Sequence, residues 1–292
     1  VIETTMINML YAGTVKTMTP KVKSTSGKLA LIRPLIYVRE ADIIEYTKKN
    51  GIRAMNCGCT IEAGKTSSKR KEVKDLLAEL EEKNPLIECI CIEYDLTDID
   101  NLGNVVKNCD VDLVINCAGF GKITDFSKLS DKEDLDTINV NFISPLILTK
   151  KFSEKFLQKG QGTILNVCST AALYQHPYMA VYSSTKSALL HYSLALDEEL
   201  SHKNKNVRVL SACPGPTASN FFDKDIQEKF GSSQKFMMSS EDVAKRIIKV
   251  IGKKKRFSII GFRNKLSMFL INLLPISLQL RLAGVILKKV IK

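Results

Sequence analysis

The chain has 292 residues, 45% of them hydrophobic and 25% charged, a composition that supports a buried core and excludes a disordered or low-complexity polymer. Residues 1–70 carry twelve Lys/Arg against five Asp/Glu and residues 253–292 carry ten against none, so the basic excess belongs to the two ends and the mildly acidic middle gives no footing to a nucleic-acid surface. Eight cysteines (57, 59, 89, 91, 109, 117, 168 and 213) lie mostly in apolar runs with no secretory signal ahead of them, which points to reduced thiols in a cytosol and away from a disulfide framework.

The chain opens on Val1, directly in a helix-like VIETTMINMLYAG, so sequence upstream of it is expected. One apolar segment, KLALIRPLIYV, a short helix in READIIEYTKKNG and a Cys-Gly-Cys loop follow. GCTIEAGKT (58–66) looks like a phosphate loop, but it has one residue too many between its glycines and no strand before it. The spacing then predicts an amphipathic helix over 70–83 in RKEVKDLLAELEEK. From residue 86 onward, strand-like runs (LIECICIEY, VDLVINCAG, GTILNVCS, NVRVLSACPG) alternate with helical ones (DIDNLGNVVKN, DKEDLDTINVNFISPLILTKKFSEKFL, YSSTKSALLHYSLALDEEL). That alternation predicts an α/β fold, a parallel sheet covered by helices.

The strongest chemistry lies in YSSTK. Tyr182 and Lys186 stand at i and i+4 on a predicted helix, so both project from one face. An ammonium there is expected to favour the phenolate and lower the tyrosine pKa from its usual value near ~10. Spacing alone is weak, since such a pair is most often an exposed helix pair. The context is stronger: Ser169 ends TILNVCS, Asn116 opens NCAGFG at a strand end, Asn141 lies mid-helix and CPGPTASNF (213–221) follows the next strand. Polar groups thus collect at strand carboxyl ends, where open α/β sheets bind ligands. Asn116 as a strand cap, Asn141 as a satisfied core amide and Pro214-Gly215 as a plain turn are the competing structural readings.

These ordered motifs resemble the short-chain dehydrogenase/reductase family from about residue 86 to the C-terminus. The resemblance implies a Rossmann-like doubly wound sheet and an NAD(P)-dependent oxidoreductase acting on a carbonyl or alcohol. It implies Tyr182 as proton donor, Lys186 as the residue that tunes it and holds the nicotinamide ribose, Ser169 as the group polarising the carbonyl, and Asn141 as holder of a relay water. Asp95 of DLT resembles the adenine contact, Asn116, Ala118 and Gly119 resemble cofactor-lining residues, and Pro214, Gly215 and Thr217 resemble the segment beside the nicotinamide. The glycine-rich turn that receives a pyrophosphate in this family is missing: none of the fifteen glycines supplies it. The sheet is therefore expected to be truncated, without its first βα unit.

Residues 1–85 have a different resemblance, carried by RPLIYVREADIIEYTKKNGI, NCGC and SSKRKEVKDLLAELEEKNP. They look like the C-terminal part of TtcA-type tRNA 2-thiocytidine synthetases, iron–sulfur enzymes of the PP-loop class. Their nucleotide loop and CxxC pair are absent, so Cys57 and Cys59 are the only candidates for a cluster ligand, and an inert loop in a small, mostly helical appendage is expected. A natural fusion, an assembly error and a truncated reading of two neighbouring genes all account for such a junction.

After GKKKRFSIIGFRNK, the run LSMFLINLLPISLQL holds fifteen uncharged residues broken by Pro275, too short for the ~20 apolar residues of a spanning helix. An amphipathic helical pair is expected from about residue 253, lying on a membrane surface, covering a lipid-like substrate pocket, or packing as a core or dimer helix. The leading function is thus a cytoplasmic or peripheral-membrane reductase for a hydrophobic substrate with NADP or NAD and a homodimeric state among the options. The alternatives are a tRNA-thiolation fragment, for which tRNA would be the partner, and a non-catalytic membrane-associated module.

Overall fold

The computed structural model describes residues 21–23, 30–32, 94–107, 109–219, 221–222, 224–231 and 237–291. The chain divides into two units, residues 1–95 and residues 96–292. In the first, strands β1 (Lys21–Lys23) and β2 (Ala30–Ile32) form an antiparallel ladder with Val22 opposite Leu31. The helix expected at 70–83, the junction near residue 85, Cys57, Cys59 and the strand cysteines 89 and 91 lie outside the described residues.

The second unit is built on a four-stranded parallel sheet of order β3-β4-β5-β8: β3 (Leu113–Asn116), β4 (Gly162–Val167), β5 (Val207–Pro214) and β8 (Phe257–Ile260). Its register sets Asn116 against Asn166, Val167 against Ala212 and Cys213 against Ile259. β4 and β5 are apolar along almost their whole length because helices cover both their faces; Ile164, Leu165, Val207, Val209 and Leu210 are fully buried. The helices are α1 (Leu102–Lys107), α2 (Asp131–Ile138), α3 (Ser144–Lys159), α4 (Ala180–Lys203), α5 (Lys224–Lys229), α6 (Ser240–Gly252), α7 (Phe262–Asn272) and α8 (Ile276–Ile291). A short parallel pair, β6 (Thr217–Ala218) and β7 (Met238–Ser239), lies between β5 and α6.

Local sequence explains the boundaries. Ser130 and Glu133 form a reciprocal capping box that starts α2, and Lys122 pairs with Glu133 at 2.7 Å. The long helical pattern expected across 131–157 is interrupted: residues Asn139–Ile143 form a π-helical turn joining α2 to α3, a feature that tends to mark functional sites. α3 stops at Gly160, whose φ of 84° is the left-handed cap that glycine accepts without strain. Gly162 opens β4 where a Cβ would stand 2.1 Å from the Phe156 ring, so only glycine admits that ring to the core.

Two buried polar systems hold the layers in register. Asn166 accepts from Asn116 Nδ2 at 2.7 Å and donates to Ser193 Oγ at 2.7 Å, with Thr149 Oγ1 bonded to both asparagines, which ties β3, β4, α3 and α4 together. Asp197 of α4, fully buried, accepts from Arg208 at 2.9 Å twice, from Arg256 at 2.6 Å and from the Val209 amide at 2.8 Å. Burial alone would raise the Asp197 carboxyl; Arg208, the Val209 amide and Arg256 outweigh it and hold the group below its ordinary value.

Candidate active site

The carboxyl ends of β3, β4 and β5 bring the expected residues of this unit to one edge. α4 presents Tyr182 and Lys186 from one face, as the i, i+4 spacing requires. Ser169 follows β4, and its hydroxyl caps the next turn by accepting from Ala171 N at 3.1 Å while lying within hydrogen-bonding reach of the Tyr182 phenol. Lys186 is 4% exposed, donates from Nζ to the Val167 carbonyl at 3.0 Å and stands 6.0 Å from the Tyr182 ring centre.

The electrostatics correct one expectation. The Tyr182 phenol is not lowered: its burial pushes it up to about 12, against the opposing bond from Ser169. Burial likewise lowers the Lys186 ammonium, opposed by the thiols Cys168, Cys117 and Cys213 around it. Desolvation outweighs a lysine that sits beside the ring and directs its charge to a backbone carbonyl.

Asn141 lies in the π-helical turn, fully buried. Its Oδ1 accepts from Phe120 N at 3.0 Å, and its Nδ2 donates to Phe120 O at 2.7 Å and to Thr185 Oγ1 at 3.2 Å. The amide clamps the NCAGFG loop to the helix turn that carries Lys186. The structural reading considered for Asn141, a satisfied core amide, describes its side chain. Asn116 likewise directs its amide into the core ladder with Thr149 and Asn166.

Gly119 and Gly121 are sites of close approach. A Cβ on Gly119 would lie 3.0 Å from both Asn141 Oδ1 and Lys186 Nζ, and one on Gly121 would lie 2.5 Å from Tyr182 Cδ2. Ala118, half-buried, precedes them in the same loop. Pro214 ends β5, a Cβ on Gly215 would meet the Asn264 side chain at 2.4 Å, and Thr217 Oγ1 donates back to Gly215 O at 3.0 Å. Asp95, half-buried, is the last residue of the first unit.

Several contributors were not visible in the sequence. Phe221 meets the Tyr182 ring edge-on at 5.4 Å and leads through Phe222 to Phe230. Ile123, Met179, Leu287 and Val290 form an apolar cluster against which Tyr178, Tyr182, Phe222 and Phe230 pack. Tyr178 stands just before α4 with a left-handed φ of 65°, its carbonyl bonded to Thr124 N at 3.0 Å. Only the Phe-Phe pair directly after CPGPTASN hinted at this wall. Among the described residues no group of three His, Cys, Asp or Glu is arranged to hold a metal.

A nicotinamide dinucleotide, the cofactor implied by the resemblance, fits part of this site. Gly119 keeps the loop backbone close against Asn141 and Lys186, where a Cβ would stand 3.0 Å from Asn141 Oδ1 and from Lys186 Nζ; the Lys186 ammonium is a hydrogen-bond donor of the kind a ribose hydroxyl takes. The pyrophosphate end has no glycine-rich turn in this sequence.

Comparison with known proteins agrees in fold. Solved structures with the same architecture include a short-chain dehydrogenase from Sphingobium yanoikuyae in complex with NADPH (19% identity, TM-score 0.57, 66% of this chain and 75% of that one). Another is the bulky-bulky ketone specific alcohol dehydrogenase from Comamonas testosteroni (22% identity, TM-score 0.55, 70% and 79%). Among curated proteins, the uncharacterized oxidoreductase YvrD of Bacillus subtilis is 38% identical over 108 residues, 37% of this chain and 40% of that protein. The N-terminal region matches the tRNA-cytidine(32) 2-sulfurtransferase of Geobacter metallireducens, 38% identical over 86 residues, 30% of this chain and 33% of that enzyme. The chain thus spans a third to two fifths of the length of these curated relatives. The short chain dehydrogenase family pattern covers residues 52–229, more than half of the sequence, and with the parallel sheet and the Ser169, Tyr182 and Lys186 grouping it makes this chain a member of the short-chain dehydrogenase family.

Proposed function

We propose that the second unit is an NAD(P)-dependent oxidoreductase interconverting a carbonyl and an alcohol on a hydrophobic substrate. The observation that carries the reading is the convergence of the Tyr182 phenol, the Ser169 hydroxyl and the buried Lys186 ammonium at the sheet edge. When bound, the dinucleotide supplies or accepts the hydride. Tyr182 gives its proton to the substrate oxygen, which the Ser169 hydroxyl holds by a hydrogen bond. Lys186 keeps a positive charge near the phenolate that forms, in a desolvated site where such charge is effective. Asn141 is a positioning residue, acting through the Phe120 backbone and Thr185. The Phe221 and Phe222 wall favours an apolar substrate over a charged one. Ala118, Gly119, Pro214, Gly215 and Thr217 are assigned to the cofactor side of the same edge, and Asp95 to the adenine end.

The test is NADPH- or NADH-dependent reduction of an apolar aromatic ketone by the full chain and by Tyr182→Phe. Removal of the phenol is expected to lower turnover by about 10²-fold or more while leaving the helical circular dichroism intact. Retention of most of the turnover would reject the assignment.

The match of the N-terminal region to a tRNA sulfurtransferase supports a second reading, in which residues 1–85 form a separate thiolation-like segment that touches tRNA. Gel shifts with unmodified tRNA test it. Dimerisation through a surface other than the C-terminal helices, and a membrane-surface location, complete the set of partners proposed for the chain.

A further inference from the structure

The last two helices each have one apolar face more than the fold uses. In α8, Gln279, Ala283, Leu287 and Val290 recur at helical spacing and are buried. About a third of a turn around the helix from that face, Leu278, Leu282, Val285 and Ile286 also recur at helical spacing, and they are 39%, 46%, 54% and 62% exposed. In α7, Met268 is buried, while Phe262, Leu266, Phe269, Leu270 and Leu273 follow one stripe around the helix and its C-cap and are 47% to 76% exposed. Nine large apolar side chains on two successive helices are thus exposed, more than a soluble surface usually presents without a partner.

The charge around these stripes is of one sign. Arg263 and Lys265 flank the α7 stripe, Arg281 and Lys288 border that of α8 and Lys289 falls within it; Lys253, Lys254 and Lys255 stand just before Arg256, which is paired with Asp197 and Glu198. No Asp or Glu occurs from residue 253 to the end of the sequence.

We propose that this surface docks on an anionic lipid bilayer, with α7 and α8 lying in the interfacial plane. A spanning arrangement does not fit: α8 has sixteen residues, about 24 Å at the ordinary helical rise, short of the ~30 Å hydrocarbon core. Among the described residues no helix is long and apolar enough to cross a membrane. A second copy of the chain fits poorly, because face-to-face packing would bring two basic segments that hold no Asp or Glu against each other. Lipid phosphates and serine carboxylates supply the missing sign, and acyl chains take up the apolar stripes. The inner face of α8 adds a consequence that rests on the oxidoreductase reading: Leu287 and Val290 belong to the cluster that packs against Tyr182. A docked α8 would carry both the lipid-facing stripe and, on the neighbouring face, part of the apolar wall of the phenol, where a membrane-dissolved carbonyl or alcohol could enter.

Flotation of the full chain with vesicles tests the docking without any activity measurement. The chain is expected to float with phosphatidylcholine vesicles containing about one third phosphatidylserine, at least about tenfold more than with phosphatidylcholine alone, and to lose this binding as salt rises. A Leu266→Glu, Phe269→Glu, Val285→Glu triple variant changes only exposed positions and should keep its circular dichroism and Tm but no longer float. Absence of flotation with either vesicle, or undiminished flotation of the folded triple variant, overturns the proposal. So does a lipid-free dimer in sedimentation velocity that the triple variant dissolves, since the stripes would then belong to a second copy.

Discussion

At the scale of single residues, Tyr182 and Asp197 carry the clearest pH signatures. Burial raises the Tyr182 phenol to about 12, so the proton that reduction consumes is in place across the neutral range. Ketone reduction should therefore be nearly independent of phenol ionisation to well above neutrality. Alcohol oxidation, which needs the phenolate, should climb with pH toward about 12; a rate–pH profile in both directions checks this. The same shift has a stability sign: a phenol raised in the folded state stabilises it below the ordinary value of 10.0, and that contribution is lost as pH rises through about 12. Asp197 behaves oppositely. Its carboxyl is held below 3.8, so its contribution is present above that value and fades as pH falls through the lower folded value. Asp197→Ala removes the buried acceptor of Arg208, Arg256 and the Val209 amide, although both guanidiniums keep some solvent and Arg256 keeps Glu198, and a loss of about 1–3 kcal/mol in urea unfolding is expected.

At the scale of elements, caps and close approaches decide. Ser130→Ala removes the cap that starts α2 and should cost about 0.5–2 kcal/mol by chemical denaturation, with little effect on the remote phenol. Gly121→Ala should do the reverse. Its new Cβ would stand 2.5 Å from Tyr182 Cδ2, so the ring or the loop must move. Turnover should fall about tenfold or more through kcat, since displacement of a catalytic group by an ångström has that scale. Unchanged kcat in a folded Gly121→Ala variant would show that Tyr182 tolerates the shift. The π-helical turn belongs to this scale as well: the 3.6-residue periodicity across 131–157 reads as one helix, and nothing in that pattern marks the widened turn that lets Asn141 meet Phe120 and Thr185.

At the scale of the whole molecule, Tyr182 and Lys186, the residues proposed to act, stand together, while none of the fifteen glycines forms a glycine-rich pyrophosphate turn. Dinucleotide affinity should accordingly be millimolar, and a micromolar dissociation constant by calorimetry would show that other residues replace the turn. The sequence by itself determined the alternation of strands and helices, the parallel order of the sheet, and the pairing of Tyr182 with Lys186, because these depend on periodicity and on residues close in the chain. It also determined the basic, acid-free tail, since charge is a property of composition. Only the tertiary structure decided the direction of the tyrosine shift, which depends on how far the phenol is desolvated and on the Lys186 ammonium turning to the Val167 carbonyl. It alone joined Asp197 to Arg256 and α8 to the Tyr182 wall, because those residues are far apart in sequence and no periodicity links them. And it alone showed which faces of α7 and α8 remain open: an apolar stripe looks the same in sequence whether a core covers it or nothing does.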